Sequence, residues 1–306
     1  MNLNYWLQLA TAKLQKNDIQ TARLDALVLL TDCLQHDKAW ILSHPEFELT
    51  TEINQELDGK LHRRSNHEPL SYIRGKSEFY GREFIVTPDT LQPRSETETM
   101  LDCLGIIYKS HFSSLLEDNP PKNVTKNGSR ILENIVLIDV GTGSGCIAIT
   151  AKLEHPSTTV YATDISEAAL QIAKKNALYL NADVTFLKGN LLAPLHLPSI
   201  TYNLSVLLCN LPYVPTNHII NHAAMHEPTI AIFGGEDGLD LYRELFKQIS
   251  GRSKVKNLKS KAQPLYIFTE SLPFQHQVLV TIANEHGYEL VQTEDFIQVF
   301  ISSSKE

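Results

Sequence analysis

Val136-Leu137-Ile138-Asp139-Val140 runs without a break into Gly141-Thr142-Gly143-Ser144-Gly145. Four of the first five residues are apolar, three of them β-branched, around one carboxylate, which predicts a buried strand. The next five predict a tight turn. Glycine lets the backbone approach a ligand and tolerates positive φ. The helix predicted behind the turn presents amide donors. The spacing is not the dinucleotide pattern GxGxxG, because the third glycine follows the second after one residue and tightens the turn. Many such turns hold no ligand. The strand in front of this one is what points to a nucleotide-like cofactor.

Outward from that stretch the chain alternates between strand and helix patterns. Strands are predicted near 135–140, 159–163, 184–187, 204–209, 265–269 and 289–301, and helices over 145–154, 166–180, 238–250 and 274–286. The alternation predicts an α/β fold with a mostly parallel sheet and helices on both faces. The chain before it differs. Leu3, Trp6, Leu7, Ala10 and Leu14 share one helical face. Ala22, Ala26, Leu29, Leu30, Cys33 and Leu34 stripe a second helix. Ile53, Leu57 and Leu61 stripe a third behind a Thr50/Thr51 cap. These stripes are core packing and carry no visible catalytic group. A hairpin is expected around Gly81, and a helix opening at Gln92-Pro93-Arg94-Ser95-Glu96-Thr97-Glu98. Acidic residues in a first helical turn are ordinary dipole partners. The expected domains are therefore 1–75 helical, 76–93 a hairpin linker and 94–306 the α/β domain. A long loop is expected over 109–130, which holds Asn119-Pro120-Pro121 and Asn127-Gly128. The basic run from Arg252 to Lys261 is expected to be a solvated connection.

Of 306 residues, 42% are hydrophobic and 20% charged, which is ordinary globular material. The net charge of -8 argues against a nucleic-acid binder held by bulk electrostatics. The four cysteines, Cys33, Cys103, Cys146 and Cys209, are scattered, as expected for reduced thiols in the cytoplasm. No signal peptide and no membrane span are expected, and the chain is expected to act as a monomer.

Three further strand ends carry chemistry. Asp164 closes Val160-Tyr161-Ala162-Thr163, about one helix and one strand after Gly145. In a doubly wound sheet that carboxylate faces a ribose, and it can also cap the helix beginning at Ser166. Gly189-Asn190-Leu191 follows the third strand, where Asn190 reaches an adenine edge and Leu191 packs on its face. The same pair is also common turn chemistry. Asn210-Leu211-Pro212-Tyr213 follows the apolar run 204–209. Pro212 ends strand pairing and restricts Leu211 to extended geometry. The Asn210 side-chain oxygen and the Leu211 carbonyl then become acceptors for a planar NH₂, with Tyr213 stacked on it. Holding the NH₂ aims the lone pair at a methyl donor, so alignment carries much of the catalysis. Standing alone, the tetrapeptide is a plain proline turn. With the glycine turn it points to methyl transfer from S-adenosylmethionine to an amide or amine nitrogen. His218, His222 and His226 recur at helical spacing, but no cysteine or HExxH context accompanies them. A surface or capping role is expected rather than a metal.

These pieces, in this order, resemble the peptide chain release factor glutamine methyltransferases of the HemK/PrmC type over nearly the whole chain. Glu68-Pro69-Leu70-Ser71-Tyr72-Ile73 and Phe79-Tyr80-Gly81 are similar to that family's linker hairpin. Pro93-Arg94-Ser95-Glu96-Thr97-Glu98 is similar to its PRPETE segment, and Gly141–Gly145 to its cofactor loop. Glu227-Pro228 and Gly234-Gly235-Glu236-Asp237-Gly238-Leu239 resemble its later blocks. The resemblance implies a Rossmann-like class I S-adenosylmethionine-dependent methyltransferase domain behind a small helical domain that docks class I release factors. It implies methylation of the side-chain nitrogen of the glutamine in the Gly-Gly-Gln motif. The cofactor would lie against Gly141, Thr142, Gly143, Ser144, Gly145, Asp164, Asn190, Leu191 and Asn210, and the glutamine against Asn210, Leu211, Pro212 and Tyr213. The chain departs from the pattern at Leu211, where the family motif NPPY has proline, and at Asn190, often acidic. It also has Asp295-Phe296-Ile297-Gln298-Val299 where the family ends on a basic run. Two rivals remain open: an adenine-N6 nucleic-acid methyltransferase, disfavoured by the acidic balance, and a degenerate cofactor-binding protein, favoured by Leu211.

Overall fold

The structure is a computed structural model that describes residues 1–112, 135–195, 205–253 and 265–303. Two compact units divide the chain. The first comprises Met1–Ser77, Val86–Pro88 and Ile219–Glu227. Its helices are α1 (Leu3–Lys16), α2 (Ala22–Leu34), α3 (Lys38–Ser43), α4 (Thr51–Ser65) and α5 (Leu70–Arg74). Side chains cap three of them. Asn2 accepts from the Tyr5 amide, Asp37 from Trp40 and Thr50 from Ile53. Trp6, Ala10, Leu14, Leu29, Leu30 and Leu57 bury the shared face. An ion pair with little exposure, Arg64 Nε to Asp25 Oδ2 at 2.7 Å, ties α4 to α2.

The unit also takes in part of the histidine run. His226 Nε2 lies 3.1 Å from the Asn66 carbonyl, and the His222 ring stacks on His67 at 4.9 Å. The three histidines do not share a helix. His218 and His222 stand in turns, and only His226 is in a helical turn, the 3₁₀ segment Ala224–His226.

The second unit comprises Glu78–Ile85, Asp89–His218 and Pro228–Glu306. The unit boundary falls inside β1 (Lys76–Phe79), which forms a hairpin with β2 (Arg82–Ile85). Tyr80 and Gly81 both have positive φ, 51° and 69°, as a two-residue turn of primed type requires. Then come α6 (Ser95–Ile107), β3 (Val136–Val140), α7 (Cys146–Glu154), β4 (Thr159–Asp164), α8 (Glu167–Tyr179), β5 (Thr185–Lys188) and β6 (Ser205–Cys209). The chain ends with α9 (Asp240–Ser253), β7 (Tyr266–Glu270), α10 (His276–Glu285), β8 (Tyr288–Glu294) and β9 (Ile297–Ser302).

Seven strands form one sheet in the order β5-β4-β3-β6-β7-β9-β8. The first five in that order are parallel, and β9 runs antiparallel to both β7 and β8. The carboxyl ends are level: Val140 pairs with Thr163 and with Cys209, and Cys209 with Thr269. Every residue of β3 and β6 is buried, because helices cover both faces. Leu137 and Leu208 face one core with Met100, Leu104 and Ile149; Ile138 and Leu207 face the other with Tyr242, Phe246 and Leu279. The order reverses between β3 and β6. A crevice at such a switch point, beyond the strand carboxyl ends, is where open α/β sheets take ligands.

Two expectations need correction. The strand expected over 289–301 is two strands, split at Asp295 with φ 49°. The loop expected from 109 begins as helix: Tyr108–Phe112 continues α6 as a π turn. The rest of that loop, with Asn119-Pro120-Pro121 and Asn127-Gly128, lies outside the described residues, as does the basic run from Lys254 to Lys261.

Candidate active site

The glycine turn hangs on β4. The amides of Gly141 and Thr142 both donate to the Thr163 carbonyl, at 2.8 and 2.9 Å. The Gly143 amide donates to Asp164 Oδ2 at 2.9 Å, and the Ser166 amide to Asp164 Oδ1 at 2.8 Å. Asp164 therefore braces the turn and the start of α8 together. Burial pushes its carboxyl above the usual range, and the backbone amides of Ser166, Gly143 and Ile165 oppose that.

Beneath the turn lies Asp139, fully buried. Its Oδ2 accepts from the Thr142 hydroxyl at 2.5 Å and from the Ala148 amide in the first turn of α7 at 3.1 Å. Its Oδ1 is buried without a hydrogen-bond partner among the described residues. Desolvation pushes its pKa up to about 7, against the Thr142 and Ala148 bonds, and the nearby Asp164 charge adds to the rise. Gly145, with φ 83°, caps α7 so closely that a Cβ would come within 3.1 Å of the Ala173 Cβ on α8. Ser144 turns inward as well: its carbonyl accepts from Asn176 Nδ2 at 2.9 Å. Asn176 also bonds both backbone groups of Ile85, at 2.7 and 2.9 Å.

A cavity of ≈ 170 Å³ opens above the turn. Gly141, Gly143, Asp164, Asn190 and Leu191 line one side; Asn210, Leu211 and Pro212 line the other. Thr90, Pro228 and Ile230 contribute to its rim. Of the residues singled out in the sequence, Thr142, Ser144, Gly145 and Tyr213 do not line it. The first three hold the turn from below. Leu191 adopts φ 52°, a region costly for a side chain that is not glycine, and is buried.

The tetrapeptide 210–213 is held from several distant segments. Asn210 Nδ2 donates to the Thr97 hydroxyl on α6 at 3.0 Å. The Tyr213 hydroxyl donates to Glu270 Oε1 at the end of β7, also at 3.0 Å. Burial pushes the Tyr213 phenol far up, and the Glu270 charge adds to it. The Leu211 amide donates to the Tyr242 hydroxyl on α9 at 3.4 Å. That hydroxyl also meets the carbonyls of Cys209 at 3.0 Å and Glu270 at 2.6 Å. Gln275 Nε2 donates to the Tyr213 carbonyl at 2.8 Å and the Asp237 carbonyl at 2.7 Å. The block 234–239 closes over the same backbone. A Cβ at Gly234 would stand 2.2 Å from the Pro212 carbonyl oxygen, and one at Gly238 only 2.0 Å from that of Tyr213. Those glycines are there for close approach, a reason their spacing alone did not reveal.

Two acceptors are left over. Among the described residues nothing donates to Asn210 Oδ1 or to the Leu211 carbonyl. Leu211 itself is 2% exposed, its side chain filling the space beside Gly141. Sequence reasoning missed Thr97 as a partner of Asn210, and it missed Asn176, Tyr242, Glu270 and Gln275. Thr97 alone carried a signal, being inside the Pro93–Glu98 motif.

Comparison with known proteins adds the lineage. Residues 5–75 match the PrmC N-terminal domain, and residues 123–226 the methyltransferase small domain. The chain is 36% identical over 252 residues to a release factor glutamine methyltransferase of Koribacter versatilis, covering 81% of each protein. It is 33% identical over 227 residues to one of Bacillus cereus, covering 72% of each. The catalytic domain of human METTL16, solved with a MAT2A 3′UTR hairpin, superimposes with a TM-score of 0.50 at 14% identity over 92% of both chains, which speaks to fold alone. No described helix is long and apolar enough to cross a membrane. The sheet order, the glycine turn and these identities over most of the chain place it: it belongs to the release factor glutamine methyltransferase family.

Proposed function

We propose that the cavity at the β3/β6 switch point is where this protein methylates the side-chain amide nitrogen of the glutamine in the Gly-Gly-Gln motif of class I release factors. S-adenosyl-L-methionine, when bound, supplies a methyl group on a cationic sulfonium. The residues present fit that cofactor. Asp164 offers a carboxylate at a strand end, each of whose oxygens accepts one amide and has acceptor capacity left for a ribose hydroxyl. Gly141 and Gly143 bare the backbone along the cavity, Asn190 stands for a base edge, and buried Leu191 offers an apolar face.

One observation carries the substrate half. Thr97 occupies the Asn210 NH₂, so the Asn210 oxygen and the Leu211 carbonyl remain as paired acceptors. A primary amide has two N–H donors to match. Gripping both turns the nitrogen lone pair toward the methyl donor, and alignment of this kind supplies much of the rate. Pro212 keeps Leu211 extended so that the carbonyl is presented. Tyr213, fixed by Glu270 and next in the chain to the lining residue Pro212 though outside the cavity lining itself, offers a ring for the amide plane. Leucine at 211 keeps the carbonyl and so keeps the chemistry. The helical unit, which matches the PrmC N-terminal domain, is assigned to docking the release factor, with the protein acting as a monomer in the cytoplasm.

The deciding experiment is mass spectrometry of a release factor incubated with the purified protein and S-adenosylmethionine. One added methyl on the Gly-Gly-Gln glutamine is expected. Cofactor binding without that methyl would favour a docking protein, and transfer to adenine in oligonucleotides would favour the nucleic-acid reading.

A further inference from the structure

Glu270 is a carboxylate where an apolar residue would be expected. It ends a central strand, is 1% exposed, and its Oε2 has no hydrogen-bond partner among the described residues. Burying a carboxylate with an idle oxygen is costly, and an aliphatic side chain would fill this strand end at lower cost. What the carboxylate does is hold the Tyr213 hydroxyl at 3.0 Å. Its own backbone is fixed too: its amide and carbonyl meet the Tyr242 hydroxyl at 3.2 and 2.6 Å, the hydroxyl that also receives the Leu211 amide.

Thr97 works on the other end of the tetrapeptide. An asparagine amide can present either its oxygen or its NH₂ to a cavity. With Nδ2 donating to the Thr97 hydroxyl at 3.0 Å, the oxygen is the end left over. The Thr97 hydroxyl then has its own hydrogen free to give. Burial raises the Glu270 carboxyl, and the Thr97 and Tyr213 hydroxyls beside it oppose that rise.

We propose that Glu270 and Thr97 are positioning residues of the methyl transfer, Thr97 fixing which end of the Asn210 amide meets the substrate and Glu270 fixing the Tyr213 ring. Neither touches the reacting atoms. The inference rests on the glutamine-methylation reading above. It adds that the tetrapeptide is set by α6 and β7 as well as by its own proline.

The test uses the full-length protein with Glu270→Ala, Glu270→Gln, Thr97→Val and Thr97→Ser. Thr97→Val and Glu270→Ala are expected to lower kcat at least ~tenfold, since small misalignments cost that much, with KM for the release factor and cofactor Kd changed less than ~threefold. Glu270→Gln keeps an acceptor for the Tyr213 hydroxyl, and Thr97→Ser keeps the hydroxyl; both should recover to within ~threefold of wild type in kcat. A folded Glu270→Ala variant with wild-type kcat overturns the proposal. So does Glu270→Gln no better than Glu270→Ala, or a loss that follows melting temperature and cofactor affinity instead of kcat. A wild type that methylates no release factor fails the functional reading instead. In that event NMR still decides the geometry: an Asn210 side-chain amide protected from exchange in wild type and unprotected in Thr97→Val sustains it, and equal protection in both overturns it.

Discussion

The two sides of the cavity are built from different materials. The β3/β4 side is backbone: glycine amides, one strand carbonyl and Asp164, all within a short stretch of chain. The β6/β7 side is a meeting of side chains from remote segments. Thr97 lies 113 residues from Asn210, Glu270 57 from Tyr213, and Gln275 62 from Tyr213. A backbone site binds whatever suits its donors and, apart from its glycines and Asp164, tolerates side-chain change. A side-chain site aligns a group, and loses alignment when any strut is removed. Substitutions on the first side should therefore show in cofactor affinity, and those on the second in the rate of transfer.

The largest effect is expected at Asn210. Asn210→Ala removes the only side-chain acceptor of the pair and should lower the single-turnover rate ~100-fold or more, a loss typical of reactive groups misplaced by about 1 Å. Cofactor affinity should change far less. Rates within a few-fold of wild type would show that the β6/β7 side is not an alignment device.

Asp164 is the reciprocal case. Hydrogen bonds that ribose hydroxyls donate to a carboxylate are worth about 1.5–3 kcal/mol. Asp164→Ala should weaken cofactor binding roughly ten- to hundredfold, since every 1.4 kcal/mol is a factor of ten. Calorimetry of the folded variant reads this directly, and an unchanged affinity would erase the division of labour. The variant also frees the Gly143 and Ser166 amides, so part of its cost is a loosened turn.

This contrast sets what the sequence could say. β3, the turn, β4 and Asp164 are contiguous or one helix apart, and local periodicity and glycine spacing were enough to place them. Asn210–Tyr213 was legible because proline punctuates a strand end. Its struts were not: Thr97 looked like part of an acidic first turn, and Glu270 fell just past the strand predicted over 265–269. Strand pairing at long range brings them together, and no local pattern encodes it. The split of 289–301 was missed because its turn, Asp295-Phe296, carries no glycine, so Asp295 itself takes positive φ. The histidine run was read as surface or capping chemistry despite its helical spacing, and its three side chains are exposed, with His226 on the Asn66 carbonyl and His222 stacked on His67.

A third experiment tests the backbone side through pH. Asp139 has its pKa raised from 3.8 to about 7 by burial. Between those values the unfolded chain has released the proton and the folded chain keeps it. The folded state then binds more protons, so this group's contribution to stability falls as pH rises through that window. Asn at 139 can accept from Thr142 and Ala148 with its oxygen and does not titrate. Urea denaturation of wild type and Asp139→Asn should show the difference shifting toward the variant from pH 5 to pH 8, by on the order of 1–4 kcal/mol at about 1.4 kcal/mol per unit. A difference that stays flat with pH would mean that Asp139 is ionised in the fold throughout.

The smallest effect on rate is expected at Leu211, one of the points where the chain departs from the family pattern. The substrate needs the carbonyl of this residue, which leucine and proline share. Leu211→Pro deletes an N–H whose bond to Tyr242 is long, 3.4 Å, and Tyr242 keeps its ties to Cys209 and Glu270. Proline also narrows the unfolded ensemble, worth about 0.4–1 kcal/mol where the native backbone suits it. Against this, the leucine side chain is buried beside Gly141, and a smaller ring leaves part of that space empty, at a cost of about 1 kcal/mol. The terms nearly cancel. Leu211→Pro should methylate at a rate equal to or modestly above wild type, with a melting temperature within a few degrees of it. A variant that is active where wild type is inert would show that leucine had disabled the site. A variant more than tenfold slower than an active wild type would show that the Leu211 side chain, packed against the glycine turn, holds the two sides of the cavity in register.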